Sequence, residues 1–274
     1  MLDEQTILRE YKALPTEEKQ ILTDVAHAWN LDPVKVLLQG CRHCDSDGRL
    51  IIRDGHVRDL FIDPGYYVFH PDWPDQPDES GNLKADNIEY LSNPTLNAIP
   101  PSIGNLRYLE VLHAGSNDIS ALPPEVKNLE NLREIDLSYN KIGTISDPLT
   151  RLPNLRSLSI HANPVRTISP ELGKLAKLEE LEIGDYYERK SALVFPESLG
   201  DLQQLRILKI QNIPDLVLPS TVSRLQHLEE LEIYHCTVKN PSIVTDMIRK
   251  LKNLKRITVG LCNFELPKSK SPGD

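Results

Sequence analysis

From Leu109 onward the apolar positions recur in one order: Leu109, Leu112, Ala114, Ile119, Leu122, Val126 and Leu129, then Leu132, Ile135, Leu137, Ile142, Ile145, Leu149 and Leu152. Further units open at Leu155, Leu178, Leu205, Leu228 and Leu254, with spacings of 23, 23, 23, 27, 23 and 26 residues along the series. In Leu-x-x-Leu-x-Leu the first, fourth and sixth residues point inward, the last two alternating as a strand requires. One such strand cannot bury its face alone, but stacked copies share a continuous core. The ninth position is polar: Asn93, Asn117, Asn140 and Asn163 end their strands where the chain turns inward. An amide side chain there can satisfy backbone groups that adjacent turns leave orphaned. Cys236 and Cys262 hold this slot in the last two units, where a small buried thiol reads as structural.

Two weaker units precede the series, one at Ala85 with Ile88, Tyr90, Asn93, Ile99 and Pro100, the other at Val57 with Leu60 and Ile62, for nine strands in all. A helical cap is expected before them. Thr16 reads as the cap of a helix with Glu17 and Glu18 in its first turn and Ile21, Leu22, Val25 and Trp29 on its apolar side. Asp32-Pro33 opens a second helix through Val34, Val36, Leu37 and Leu38, with Gly40 as the stop.

This register resembles the leucine-rich repeat family, in its 23-residue form with Leu-Pro in the return segment, over roughly residues 57–266. Residues 48–62 also resemble the capping strand that often opens such arrays. The resemblance implies an α/β fold: a right-handed curved solenoid, its parallel sheet on the concave face, with a small helical N-terminal cap. The expected organisation is a cap over 1–56, a solenoid over 57–266 with an insertion at 63–84, and a disordered tail over 267–274. It further implies a non-catalytic protein-interaction module or adaptor, with signalling scaffolds and bacterial effectors acting on host proteins both within reach. Some bacterial proteins of this kind add a C-terminal ubiquitin-ligase domain; with only a short tail after the last strand, that activity is not expected here.

Composition narrows the alternatives. A net charge of -9 argues against nonspecific nucleic-acid binding, which needs a positive footprint. No apolar run approaches the roughly 20 residues that cross a bilayer. The start, Met1-Leu2-Asp3-Glu4, is not a secretory signal, and a cytoplasmic, reducing setting is the simplest expectation. Cys41-Arg42-His43-Cys44 is a lone CxxC, with His27, His56 and His70 at no ligand spacing; it reads as inert thiols, a local disulfide or, least of all, a metal site. No GxSxG, GxxxxGK[ST] or HExxH occurs, and His235-Cys236 should diverge, the histidine outward and the thiol inward. No catalytic residue, cofactor or metal is expected.

The second, third, fifth, seventh and eighth strand positions should face solvent. The fifth-position column reads Phe61, Glu89, His113, Asp136, Ser159, Glu182, Lys209, Glu232 and Thr258. Two acidic clusters fall on this face, Glu179, Glu180, Glu182 and Asp185, then Glu229, Glu230 and Glu232, with Arg206 and Lys209 between. They read either as a self-neutralising ladder or as a site for a basic partner segment. An acidic strip could also hold a cation. His113, Tyr139, His161, Tyr234 and His235 add a contact strip, since aromatic side chains are enriched at interface hot spots. Insertions containing Tyr66, Tyr67 and Trp73, and Tyr186 and Tyr187, should leave the same lateral edge and form a lip. Residues 1–84 carry 16 acids and 9 bases, whereas residues 239–274 carry 8 bases and 3 acids. That basic C-terminal edge, with no polar cap after the last strand, is a candidate for self-association.

Overall fold

The structure, a computed structural model, describes residues 4–28, 50–62, 65–68, 89–92, 95–185 and 192–263. Two helices come first, α1 (Glu4–Ala13) and α2 (Thr16–Ala28). The main sheet takes in β1 (Leu50–Arg53), β2 (His56–Phe61), β5 (Val111–His113), β6 (Glu134–Asp136), β8 (Ser157–Ile160), β10 (Glu180–Gly184), β12 (Ile207–Gln211), β14 (Glu230–Tyr234) and β15 (Arg256–Gly260). These nine strands lie in that order. The β1–β2 pair is an antiparallel hairpin, and every later pairing from β2 to β15 is parallel and residue for residue, 52 residues apart from β2 to β5 and at the repeat spacing of 23 to 27 thereafter. The result is a curved leucine-rich-repeat solenoid with a small helical N-terminal piece.

The opposite side is built from return segments. Five are short 3-10 turns, at Pro101–Asn105, Pro124–Asn128, Leu172–Lys174, Glu197–Asp201 and Ser220–Arg224. Two are helical, α3 (Asp147–Thr150) and α4 (Pro241–Lys250). Short parallel pairs, β7 (Thr144–Ile145) with β9 (Thr167–Ile168) and β11 (Ala192–Val194) with β13 (Asp215–Val217), stitch neighbouring returns. Proline fixes φ where four turns begin: Pro100, Pro123, Pro196 and Pro219 stand at -66°, -66°, -69° and -73°. The carbonyl of each then accepts the amide three residues on. At Gly200 a Cβ would stand 2.4 Å from the Thr221 carbonyl oxygen, so only glycine allows these returns to stack this closely.

The core is a row of leucine and isoleucine columns between sheet and returns. Leu112, Ile135, Leu158, Leu181, Leu208 and Leu231 form one fully buried column, and Leu109, Leu132, Leu155, Leu178, Leu205 and Leu228 another. Asn117, Asn140 and Asn163 sit buried at the ninth position and do the predicted work. Asn140 donates from Nδ2 to the Ala114 carbonyl (2.8 Å) and accepts at Oδ1 from the Ile119 amide (2.9 Å). Asn163 repeats this with Leu137 and Ile142. Cys236 donates to the Ile210 carbonyl, Sγ to oxygen 3.6 Å, and Cys262 to that of Ile233, 3.3 Å.

The unit expected at Ala85 supplies no strand to the main sheet. Strand β2 pairs directly with β5, while β4 (Glu89–Ser92) pairs antiparallel with β3 (Gly65–Val68) in a separate hairpin. Glu89 therefore leaves the fifth-position column. The return half of that unit is in place, with Leu96, Ile99, Ile103 and Leu106 buried 23 residues before Ile119, Leu122, Val126 and Leu129. Extending that register backwards puts Asp86 and Glu89 at the inward first and fourth positions, and two unpaired buried carboxylates are prohibitively costly. The chain instead departs after Ile62 and rejoins at Leu96. Asn117 holds both ends, donating to the Ile62 carbonyl (2.7 Å) and accepting from the Leu96 amide (2.8 Å).

Helix α2 covers the start of the solenoid with Ile21, Leu22, Val25 and Ala26. The Pro15 carbonyl accepts the first helical bond, from the Lys19 amide, so Thr16 is the first helical residue and not the cap. Helix α1, followed by buried Leu14, extends the piece beyond what the sequence reading expected. The helix at Asp32, Trp29, Cys41 and Cys44, Trp73 and the tail over 267–274 lie outside the described residues.

Candidate functional site

The sheet turns one face to the solenoid core and the other to solvent, and strand alternation decides which side chains line the open face. Three zones run across it. The lower rim holds the second and third positions, the middle of the face the fifth, and the upper rim the seventh and eighth.

The lower rim is a ladder of ion pairs between neighbouring strands. Arg58 and Arg133 reach Glu110 at 3.0 and 3.4 Å. Arg156 pairs with Glu179. Arg206 and Lys255 share Glu229 at 3.0 and 2.8 Å. Arg256 meets Glu230 at 2.7 Å, and Lys209 leans down to Glu180 at 3.5 Å. Hydrogen bonding from Lys255, with Arg206 adding to it, holds the Glu229 carboxyl below the usual carboxylate range. The acids expected as two clusters thus divide: Glu179, Glu180, Glu229 and Glu230 each have a cationic partner.

The fifth-position column differs. The Asp136 carboxylate accepts only from Ser138, amide at 2.8 Å and hydroxyl at 2.6 Å. Glu182 faces the Ser159 hydroxyl at 3.5 Å, and Glu232 takes the Gln211 amide at 2.7 Å. Ser138 and Ser159 join their hydroxyls at 2.8 Å. Asp136, Ser138, Ser159 and Glu182, with Glu134, Ser157 and Glu180, line an open trough of about 200 Å³; Gln211 and Glu232 lie further along the column, outside it. Towards the N-terminal end His113 meets Glu134 (Nε2 to Oε1, 2.7 Å) and lies edge-on to buried Phe61 at 4.7 Å. That hydrogen bond lowers the Glu134 carboxyl from its ordinary value against the opposing effect of burial.

On the upper rim the eighth position is left-handed at Ser116, Tyr139, Ala162, Asn212, His235 and Leu261, with φ between 51° and 58°. The turn throws four of these side chains, Ser116, Tyr139, His235 and Leu261, outward, while Ala162 stays buried: Tyr139 is 48% exposed, and His235 is exposed with its Nδ1 3.1 Å from Asn212 Oδ1. Cys236 goes inward and is buried, so imidazole and thiol diverge. Tyr234 is 41% exposed. His161 lies edge-on to Tyr139 at 5.5 Å, and its Nδ1 is buried with no hydrogen-bond partner. A Cβ at Gly184 would stand 3.1 Å from that nitrogen and 2.7 Å from the Gln211 carbonyl oxygen, so glycine is what gives the ring its berth.

Asp185, expected among the exposed acids, is buried at 3% exposure. Strand β10 runs through Gly184, the eighth-position Asp185 is not left-handed, and the strand's alternation carries Leu181, Ile183 and Asp185 all inward. Tyr186 and Tyr187 lie outside the described residues. Tyr66 and Tyr67 belong to β3, on the hairpin and not in the main sheet. Among the described residues, no group of three or more His, Cys, Asp or Glu side chains is placed to hold a metal, and no helix is long and apolar enough to cross a membrane.

Sequence reasoning missed one cluster altogether. Glu18 of α2 is buried and accepts from the Val57 amide (2.8 Å) while meeting His56 Nδ1 at 2.7 Å. His56 stacks on Tyr108 at 3.9 Å, and the Arg58 guanidinium sits 5.3 Å from the same ring centre. Glu18 had carried only a first-turn charge signal, which says nothing of a partner 38 residues away.

Comparison with known proteins agrees with this architecture. The sequence matches the family described as "Leucine-rich repeat region" over residues 90–213 and 146–271, together more than half of the chain. The fold is similar to the leucine-rich repeat domain of the type III effector XopL, at 25% identity and a TM-score of 0.50, over 60% of this chain and 57% of that one. It is also similar to TLR13 in its complex with ssRNA13 (21% identity, TM-score 0.50, 61% and 23% coverage). A third likeness is to a leucine-rich-repeat protein of Leptospira interrogans (23%, 0.42, 64% and 55%). The chain matches about half or less of the length of these three structures. Repeat register, sheet topology, asparagine ladder and family match agree, and the chain belongs to the leucine-rich repeat family.

Proposed function

We propose that this chain is a protein-interaction module, an adaptor or scaffold that receives a protein partner on the concave face of its sheet. One observation carries the reading: an eight-strand parallel run, in register from β2 to β15, presents a face whose middle, from Asp136 to Glu182, is an open trough lined mainly by polar side chains among the described residues. Rigid strands hold those side chains at fixed spacing, which is what a preformed recognition surface needs. The thiols of Cys236 and Cys262, each donating to a carbonyl in the asparagine slot, fit a reducing, cytoplasmic setting. The likeness to the repeat domain of a type III effector supports one narrower version, an effector acting on host proteins.

The test is affinity capture with wild type, Ser159→Trp and Lys127→Trp. Ser159 lies in the centre of the trough, and Lys127 is exposed on a return segment. Proteins retained by wild type and Lys127→Trp but lost by Ser159→Trp are the expected result. Identical captures from all three would overturn a concave-face site.

A further inference from the structure

We infer that the fifth-position column, from the trough at Asp136 and Glu182 on to Glu232, is spaced for an extended cationic segment carrying Lys or Arg at every third residue in a polyproline II conformation. This rests on the concave-face reading above and adds the chemistry of the occupant. The acids of the concave face differ in what already satisfies them. On the lower rim Glu179, Glu180, Glu229 and Glu230 are matched to Arg or Lys across the strands. Among the described residues, Asp136, Glu182 and Glu232 accept only from neutral donors, a serine amide and hydroxyl, a second serine hydroxyl and a glutamine amide. Lys209, the cation in the same column, is turned away to Glu180.

Spacing then selects the ligand. Asp136 pairs in register with Ser159, Ser159 with Glu182, Glu182 with Lys209, and Lys209 with Glu232. The three carboxylates therefore stand on every second strand, about 10 Å apart at the usual inter-strand distance. That separation is close to the Debye length of roughly 8 Å at physiological ionic strength, so the free protein tolerates them unpaired. A partner running across the strands must place cations on one side at the same interval. A β-strand puts same-side residues about 6.6 or 13 Å apart, missing it either way. Polyproline II returns to the same side every three residues, after roughly 9.3 Å, and meets it. Tyr139 and Tyr234, both exposed, stand on the adjacent upper rim.

The probes are a peptide of four Arg-Pro-Pro triplets and an isomer of identical composition with its arginines clustered at one end. Binding is read by fluorescence anisotropy at fixed salt. The expected result is about tenfold tighter binding of the periodic peptide. Asp136→Asn/Glu182→Gln/Glu232→Gln should remove about tenfold of that affinity, while Glu179→Gln/Glu229→Gln on the rim changes it by less than about twofold. Equal binding of the two peptides, no binding of either to wild type, or an equal loss in the rim variant would each overturn the inference. The peptide comparison on wild type needs no variant to fold. A partner captured from lysate that Ser159→Trp abolishes but the triple neutralisation leaves intact would retire this inference and keep the concave-face reading.

Discussion

Asn163 shows how much one side chain carries in a repeat protein. It is fully buried, and removing its amide strands the Ile142 N–H and the Leu137 carbonyl away from water. Asn163→Ala should cost about 2–5 kcal/mol, read as a lower urea midpoint at unchanged slope. Asn163→Cys should recover part of that, because Cys236 already fills the equivalent slot, donating to Ile210 and accepting from Ile213. Burial pushes the Cys236 thiol from its ordinary 9.0 up to about 12. Unfolded chains then ionise this thiol first as pH rises, so its contribution to stability is complete below about pH 9 and is lost on the way to about pH 12. Melting temperatures taken from about pH 8 to about pH 11 should fall more steeply for wild type than for Cys236→Ala. The ninth-position slot was legible in sequence because it repeats. Asp185 was not, because its inward position depends on the eighth residue of this unit not being left-handed, as Ala162 and Asn212 are in the units on either side.

Between elements, the informative contacts are those that no repeat predicts. Helix α2 is fastened to the first parallel strand by Glu18, whose carboxylate takes the Val57 amide. Glu18→Ala should release that amide: its hydrogen exchange accelerates by the equivalent of about 1.5–3 kcal/mol, while amides of β12 and β14 keep their protection. A uniform rise in exchange across the sheet would instead mean that α2 supports the entire array. The strand reading at Ala85 failed for a related reason. Its apolar letters, Ile88 and Tyr90, fit the strand pattern locally, yet they are one residue out of step with Leu96, Ile99 and Ile103, and only the stacked returns reveal that mismatch. Another ladder went unread because its residue type varies: Asn131, Asn154, His227 and Asn253, each just before an inward leucine, bond the carbonyl of Arg107, Glu130, Gln203 and Gln226.

At the scale of the molecule, charge and stability separate. The rim pairs are mostly exposed and contribute little to folding, so raising salt from about 50 to about 500 mM should leave the melting temperature nearly unchanged. Binding through the trough should weaken over the same range; a melting temperature that falls with salt would show that the rim ladder supports the fold. The periodic core made the solenoid readable from sequence. The division of the concave acids into matched and unmatched sets was not, since it depends on which neighbouring strand places a base opposite. Asn117 has a consequence of its own. By grasping Ile62 with one atom and Leu96 with another, it closes the array behind the chain's departure and return. The stretch between is thereby a cassette: foreign sequence with closely spaced ends could be spliced there and leave the repeats that follow undisturbed.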